Sequence, residues 1–182
     1  SGYRLAESAD VTVVELPYRN VRFAFTILLP KAKDGLAALE KSLSPEAWAG
    51  WIGALKRQQV ALSLPKFVVQ PEGSMQIKKP LLAMGMTLPF SASKAEFSRI
   101  VKIDKPEDRL HFTEVYHQAF VEVNEAGTEA AAATAVAMGP GSKAPAKPKA
   151  VAVDHPFLFV IRDVKTDTIL FLGRVTDPKT KG

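Results

Sequence analysis

Three histidines, His111, His117 and His155, are the side chains best suited by type to move a proton or bind a metal. His111 and His117 share parity on one strand-like stretch but stand six residues apart, too far for adjacent ligands on one face. A surface or hydrogen-bonded role is the expectation for all three. The carboxylates offer no better constellation. Asp163 and Asp167 flank a turn, where solvation or capping is expected, and Asp104, Glu107 and Asp108 fall in a polar loop with Pro106. No G-x-S-x-G, H-E-x-x-H, Walker A or dinucleotide fingerprint occurs. The expectation is a protein that is not an enzyme and that uses neither a metal nor a cofactor.

A different stretch stands out by pattern. Asn124-Glu125-Ala126-Gly127-Thr128-Glu129 leads into Ala130-Ala131-Ala132-Ala133-Thr134-Ala135-Val136-Ala137. An apolar, strand-like segment precedes it, and a Gly/Pro/Lys tract follows. Three readings are open. Alanine favours a helix, although this one would lack large apolar residues to dock it, and short isolated helices are marginal in water. Gly139-Pro140-Gly141-Ser142, Pro145 and Pro148 favour a flexible linker. The third is a latent strand. Thr128, Ala130, Ala132, Thr134 and Val136 share one face at period two, and all are small enough to enter a covered sheet.

The bulk of the chain narrows the classes. Its 182 residues suit one domain or a large part of one. No apolar run approaches the ~18 residues of a membrane span, so no membrane association is expected. With no cysteine there is neither a disulfide framework nor a thiolate metal site, and the compartment is left open. Extracellular and periplasmic settings both fit. The chain opens on Ser1-Gly2-Tyr3-Arg4, without the basic and apolar regions of a secretory leader. The net charge of +5 is scattered, apart from Lys143, Lys147 and Lys149, so no nucleic-acid footprint forms and no nucleic-acid partner is expected.

The elements that must position this tract are mostly strands. Val11 to Tyr18 reads as a strand ended near Pro17. Arg19-Asn20 supplies a turn, and Val21 to Leu29 returns as an apolar strand stopped by Pro30. Leu36, Leu39 and Leu43 fall at helical spacing. Ser44-Pro45-Glu46 reads as a helix start, and Trp48, Trp51, Ile52 and Leu55 line one face of that helix as core residues. Val60 to Leu64 alternates as a half-buried strand and resumes at Pro65 to Val69 after an interruption. Ile77, Leu81 and Met84 mark a third helix, with Pro80 near its start and Gly85 at its end. Leu110 to Val123 reads as one long strand. Phe157–Ile161 and Thr168–Leu172 form a second apolar hairpin turned near Lys165-Thr166-Asp167. Many strands and three short helices without regular βαβ alternation predict an α+β fold dominated by sheet.

In this setting the residues carry a resemblance. Asn124 to Thr134 is similar to the hinge of inhibitory serpins. Val151-Ala152-Val153-Asp154-His155-Pro156-Phe157-Leu158-Phe159-Val160-Ile161 resembles that family's C-terminal signature, as does the ending Phe171 to Pro178. Val14-Glu15-Leu16-Pro17-Tyr18, Leu64-Pro65-Lys66-Phe67 and Leu81-Leu82-Ala83-Met84-Gly85-Met86 follow the family pattern in order. The resemblance covers essentially the whole chain. It implies a multi-sheet serpin fold with surrounding helices, of which residues 1–182 are the C-terminal part of a single domain, with 125–150 as hinge and reactive-centre loop.

What the resemblance implies for function is suicide inhibition by a metastable fold. A serine protease attacks the exposed loop and forms an acyl-enzyme. The cut loop then enters the main sheet as a new strand and drags the enzyme with it. The hinge residues fit that demand. Gly127 has a permissive backbone. Thr128, Ala130, Ala132 and Thr134 avoid the cost of burying large or charged side chains. By resemblance, Glu125 closes the hinge and pairs with Lys66, with His117 nearby, so that Lys66, His117 and Glu125 form a gate at the sheet opening. Gln118 follows His117 where many relatives have lysine.

The bait residue has three candidates. Counting seventeen positions from Glu125 by the family spacing puts the cut at Gly141–Ser142. Side-chain chemistry instead favours Lys143–Ala144 for a trypsin-like protease, or Met138–Gly139 for a chymotrypsin- or elastase-like one. Lys147 is a poor choice because Pro148 follows it. The expected partners are a target serine protease, the N-terminal half of the same fold and, in aberrant states, loop–sheet polymers. The alternative is a non-inhibitory serpin-fold binding or structural protein whose loop is only a substrate or contact surface.

Overall fold

The computed structural model describes residues 2–102, 104–105, 108–124 and 147–178. Two compact units divide the chain, Ser1–Val68 with Glu122–Gly182, and Val69–Val121.

The first unit is built on a seven-stranded sheet. β1 (Gly2–Glu7), β2 (Val11–Pro17) and β3 (Phe23–Pro30) form an antiparallel meander, with Arg4 opposite Glu15 and Val14 opposite Ile27. The turn between β2 and β3 falls where Arg19-Asn20 predicts it, and Val21 takes a positive φ of 49° there. Helices α1 (Leu36–Ser42) and α2 (Pro45–Gly53) follow. The Ser44 hydroxyl accepts the Ala47 amide at 3.1 Å, as its cap position demands. Leu39, Trp48 and Leu55 from this region pack with Val11, Val13, Leu28, Leu158 and Val160, so the tryptophan face of α2 is indeed core.

Next come β4 (Lys56–Ser63) and β5 (Phe67–Val69). After the second unit, β8 (Val121–Val123), β9 (Lys149–Ala152), β10 (Phe157–Asp163) and β11 (Ile169–Val175) complete the first. The sheet order is β11-β10-β3-β2-β1-β4-β9. β10 is flanked by β3 and β11 and is buried at nearly every position, which explains its unbroken apolar run. β11 lies at the sheet edge with Ile169, Leu170, Phe171 and Leu172 exposed.

Glu15 and Arg162 interrupt this apolar interior. Arg162 donates through Nε at 3.0 Å and through Nη2 to the Glu15 carboxylate, and both side chains are 3% exposed. Arg4 adds a 2.7 Å bond to Glu15, and Arg162 Nη1 reaches Asp167 at 2.7 Å. Of the two roles expected for the aspartates at this turn, capping is the one Asp163 takes. Asp163 is not solvated but buried; it accepts Arg22 Nε at 2.8 Å and caps the Lys165 and Thr166 amides. Arg22 lies 141 residues upstream, so no local pattern announces it as the partner.

The second unit contains β6 (Met75–Gln76), α3 (Lys78–Ala83), a 3-10 turn at Leu88–Phe90 and β7 (Tyr116–His117). β6 pairs antiparallel with β7, Met75 opposite His117. The helix predicted around Leu81 is α3, and Gly85 follows its end with φ 91°, a conformation open to glycine. The long strand predicted over Leu110–Val123 is not continuous. Only β7 and β8 are extended ladders within it. Phe112 is drawn aside instead: its amide bonds to the Pro89 carbonyl at 2.8 Å, and its ring packs on Phe90 and Phe97. A local aromatic cluster overrides β propensity there.

Candidate functional site

The tract from Asn124 to Lys149 leaves one strand and enters another, and those two strands define the site. β8 pairs with β5 in a two-stranded sheet. β9 pairs in parallel with β4, with Val60, Ala61, Leu62 and Ser63 opposite Lys149, Ala150, Val151 and Ala152. The ladder is extended by the Val153 amide on the Ser63 carbonyl at 2.8 Å. A Lys149–Glu7 ion pair ties the start of β9 to β1. β4 and β5 are themselves consecutive, joined only by Leu64, Pro65 and Lys66. Both ends of the tract are therefore fastened to neighbouring parts of one short stretch.

A rigid core backs these anchors. Phe67 opens β5 and is buried against Phe25, Phe157 and Phe159, with ring centroids 6.4, 5.6 and 6.1 Å away. Phe25 and Phe159 stack at 5.5 Å. Gly173 on β11 makes room for that stack: a Cβ there would lie 2.4 Å from the Phe159 ring. His155, on the β9–β10 connection, bonds the Pro30 carbonyl through Nε2 at 2.6 Å and the Asp154 carboxylate through Nδ1 at 2.7 Å. That contact with His155 is the main reason the Asp154 carboxyl is held below the usual range. It is the hydrogen-bonded histidine the sequence leads one to expect.

The candidate site residues fall into three groups. Lys66 lies in the β4–β5 joint of the first unit. His117 is exposed on β7 of the second unit. Glu125, Gly127, Thr128, Ala130, Ala132, Thr134, Met138, Gly139, Gly141, Ser142, Lys143 and Ala144 lie outside the described residues. Among the described residues no group of three His, Cys, Asp or Glu could hold a metal ion. No helix among them is long and apolar enough to cross a membrane.

Sequence reasoning missed one part of the site. Leu16, Phe25, Leu64 and Val123 form a recess of about 80 Å³ directly before the tract, with Tyr18, Glu122 and Asn124 also lining it. Glu122 accepts the Asn124 side-chain amide at 3.0 Å. Burial holds the Tyr18 phenol above its ordinary pKa. The Leu64-Pro65-Lys66 motif draws attention to Lys66, but nothing in it marks Leu64 as a wall.

A family model described as Serpin (serine protease inhibitor) matches residues 1–178. Iripin-2 of Ixodes ricinus is 40% identical over 173 residues, covering 95% of this chain and 41% of that protein. Serpin B10 of Mus musculus is 42% identical over 174 residues, covering 94% and 42%. Antithrombin-III of Homo sapiens is 36% identical over 178 residues, covering 98% and 37%. Native protease nexin-1, solved with heparin, matches with a TM-score of 0.76 at 29% identity, over 98% of this chain and 46% of that one. The chain thus spans about two fifths of the length of the curated relatives it matches.

Proposed function

The chain belongs to the serpin family, and on that premise we propose that it is the loop-bearing part of a serine-protease inhibitor that traps its target by suicide cleavage. The observation that carries this reading is the anchoring of the tract. Its entry strand β8 lies on β5, its exit strand β9 lies on β4, and only Leu64, Pro65 and Lys66 separate β4 from β5. A tract whose two ends are fastened in this way suits the presentation of a bond to a protease.

The composition of the tract supports the second half of the mechanism. After the acyl-enzyme forms at Gly141–Ser142, Lys143–Ala144 or Met138–Gly139, the released residues must enter a sheet. Thr128, Ala130, Ala132 and Thr134 present small side chains to that interior. Backbone hydrogen bonds along a new strand replace exposed edges, and no large side chain must be accommodated. Gly127 permits the change of backbone direction, and Glu125 with Lys66 and His117 gates it. The partners are a trypsin-, chymotrypsin- or elastase-like protease and the remainder of the serpin fold. The exposed apolar run Ile169–Leu172 on the edge strand β11 is consistent with further chain packing there.

The test uses the complete protein with one protease of each specificity. A complex stable to sodium dodecyl sulfate, at one protease per inhibitor, is expected. Cleavage of the loop without such a complex replaces inhibition by the binding-protein reading. Mass spectrometry of the released peptide identifies the bond, and cleavage only outside Met138 to Ala144 overturns all three candidates.

A further inference from the structure

The recess before the hinge has properties of its own. Its floor is apolar: Leu16 and Phe25 are buried, and Leu64 and Val123 are half-buried. Its exposed members carry the polar atoms, among them Tyr18 and Asn124. Glu122 is the only charged side chain among the described residues that line it. A single carboxylate beside an apolar hollow selects by charge. It repels an anion and attracts a cation whose apolar part fills the hollow.

The position of the recess gives it leverage. Leu64 belongs to the joint between β4 and β5, Glu122 and Val123 immediately precede the tract, and Asn124 begins it. A molecule seated there touches the joint and the hinge base together. We infer that this recess is a regulatory site for a small organic amine, a single ring or branched alkyl group bearing one ammonium, whose binding holds the hinge base against the joint and slows loop insertion. The apolar group lies against Leu16, Phe25, Leu64 and Val123, and the ammonium meets the Glu122 carboxylate. Because it acts by favouring one arrangement of the hinge over another, its effect equals its differential affinity for the two. The regulatory half rests on the inhibitory reading above; the binding half does not.

The experiment uses the complete protein with benzylamine as probe and phenylacetate as a ring of opposite charge. Saturation-transfer difference spectra are expected to show saturable binding of benzylamine and weaker binding of phenylacetate. Leu64→Trp, which fills the recess, should abolish the benzylamine signal. Glu122→Gln should weaken it while leaving the cavity open. Saturating benzylamine should slow formation of the protease complex by roughly five-fold or more, the usual range of allosteric coupling. Equal binding of the two rings, or binding unchanged in Leu64→Trp, overturns the site. Binding with an unchanged rate of complex formation overturns its regulatory role. Binding as expected with no protease complex at all leaves the site standing and overturns the inhibitory reading instead.

Discussion

Arg162 on β10 reaches Glu15 on β2 across the intervening strand β3, and the two side chains are buried together. Three strands are thereby joined by one charged contact inside an apolar sheet. Removing one partner strands the other without water, a loss of about 3–5 kcal/mol for a buried pair. Arg4 still holds Glu15 after Arg162→Met, so the loss is expected near about 3 kcal/mol in that variant. Combining it with Glu15→Gln should recover part of that loss. Urea unfolding of the single and double variants measures the coupling.

Gly173 and Phe159 set a steric limit. A methyl at Gly173 would fall 2.4 Å from the Phe159 ring, which is stacked on Phe25 and cannot withdraw freely. Gly173→Ala is expected to cost about 1–3 kcal/mol, as overpacking does in a filled core. Adding Phe159→Leu should relieve the clash, so the double variant should lose less than the sum of the singles. Thermal unfolding of all three variants is the check.

Asp163 confers an acid limb on stability. The Arg22 hydrogen bond holds its carboxyl below the ordinary aspartate value against the opposing effect of burial, helped by the Lys165 and Thr166 amides. Folding therefore favours the ionised form. This contribution is complete above the unfolded value of about 3.9 and is lost as pH falls through the lower folded value. Unfolding midpoints measured from neutral to strongly acidic pH should show a shallower acid decline for Asp163→Asn than for the parent.

The hinge reading makes a separate demand. Glu125→Lys places a cation where Lys66 is expected to meet an acid, so slower protease trapping and faster loop–sheet polymerisation should follow. Ala132→Glu sends a charge toward the sheet interior at a cost of several kcal/mol. On the inhibitory reading it should replace trapping by simple cleavage, at an unchanged rate and without a stable complex. Stoichiometry of inhibition and native gels separate the two effects, and unchanged values in both variants sink the hinge assignment.

Residues 1–182 alone, which span about two fifths of the length of their relatives, are not expected to trap a protease. β11 leaves Ile169, Leu170, Phe171 and Leu172 exposed at a sheet edge, a surface that favours association over function. Incubation of this chain with trypsin should give cleavage alone. A one-to-one covalent complex from it would contradict the prediction.

Much of the fold was legible because local rules and burial agreed. Ser44-Pro45-Glu46 announced α2, and the apolar runs at Phe157 and Ile169 announced their hairpin. Less was legible where distant partners decide. Phe112 belongs to a cluster with Phe90 and Phe97 rather than to a strand, and Asp163 answers to Arg22. Spacing along one stretch carries no record of either. Strand β1 escaped notice because Gly2–Glu7 does not alternate, its charges Arg4 and Glu7 standing three residues apart, and its pairing with β2 and β4 defines it. At the site, motif order pointed to Lys66 and His117, whereas the joint and the recess emerge only from strand pairing.

Sheet order also has a timetable. β3 is interior to the finished sheet, yet one of its neighbours, β10, is encoded far downstream, with Ile27 opposite Phe159. At ordinary translation speeds, the ribosome needs roughly ten seconds or more to supply that partner. Throughout that interval β3 offers a nascent edge whose side chains are apolar except for Thr26 to whatever else is near. Synthesis therefore leaves an apolar strand waiting for its partner, and added chaperone is expected to raise the folded yield.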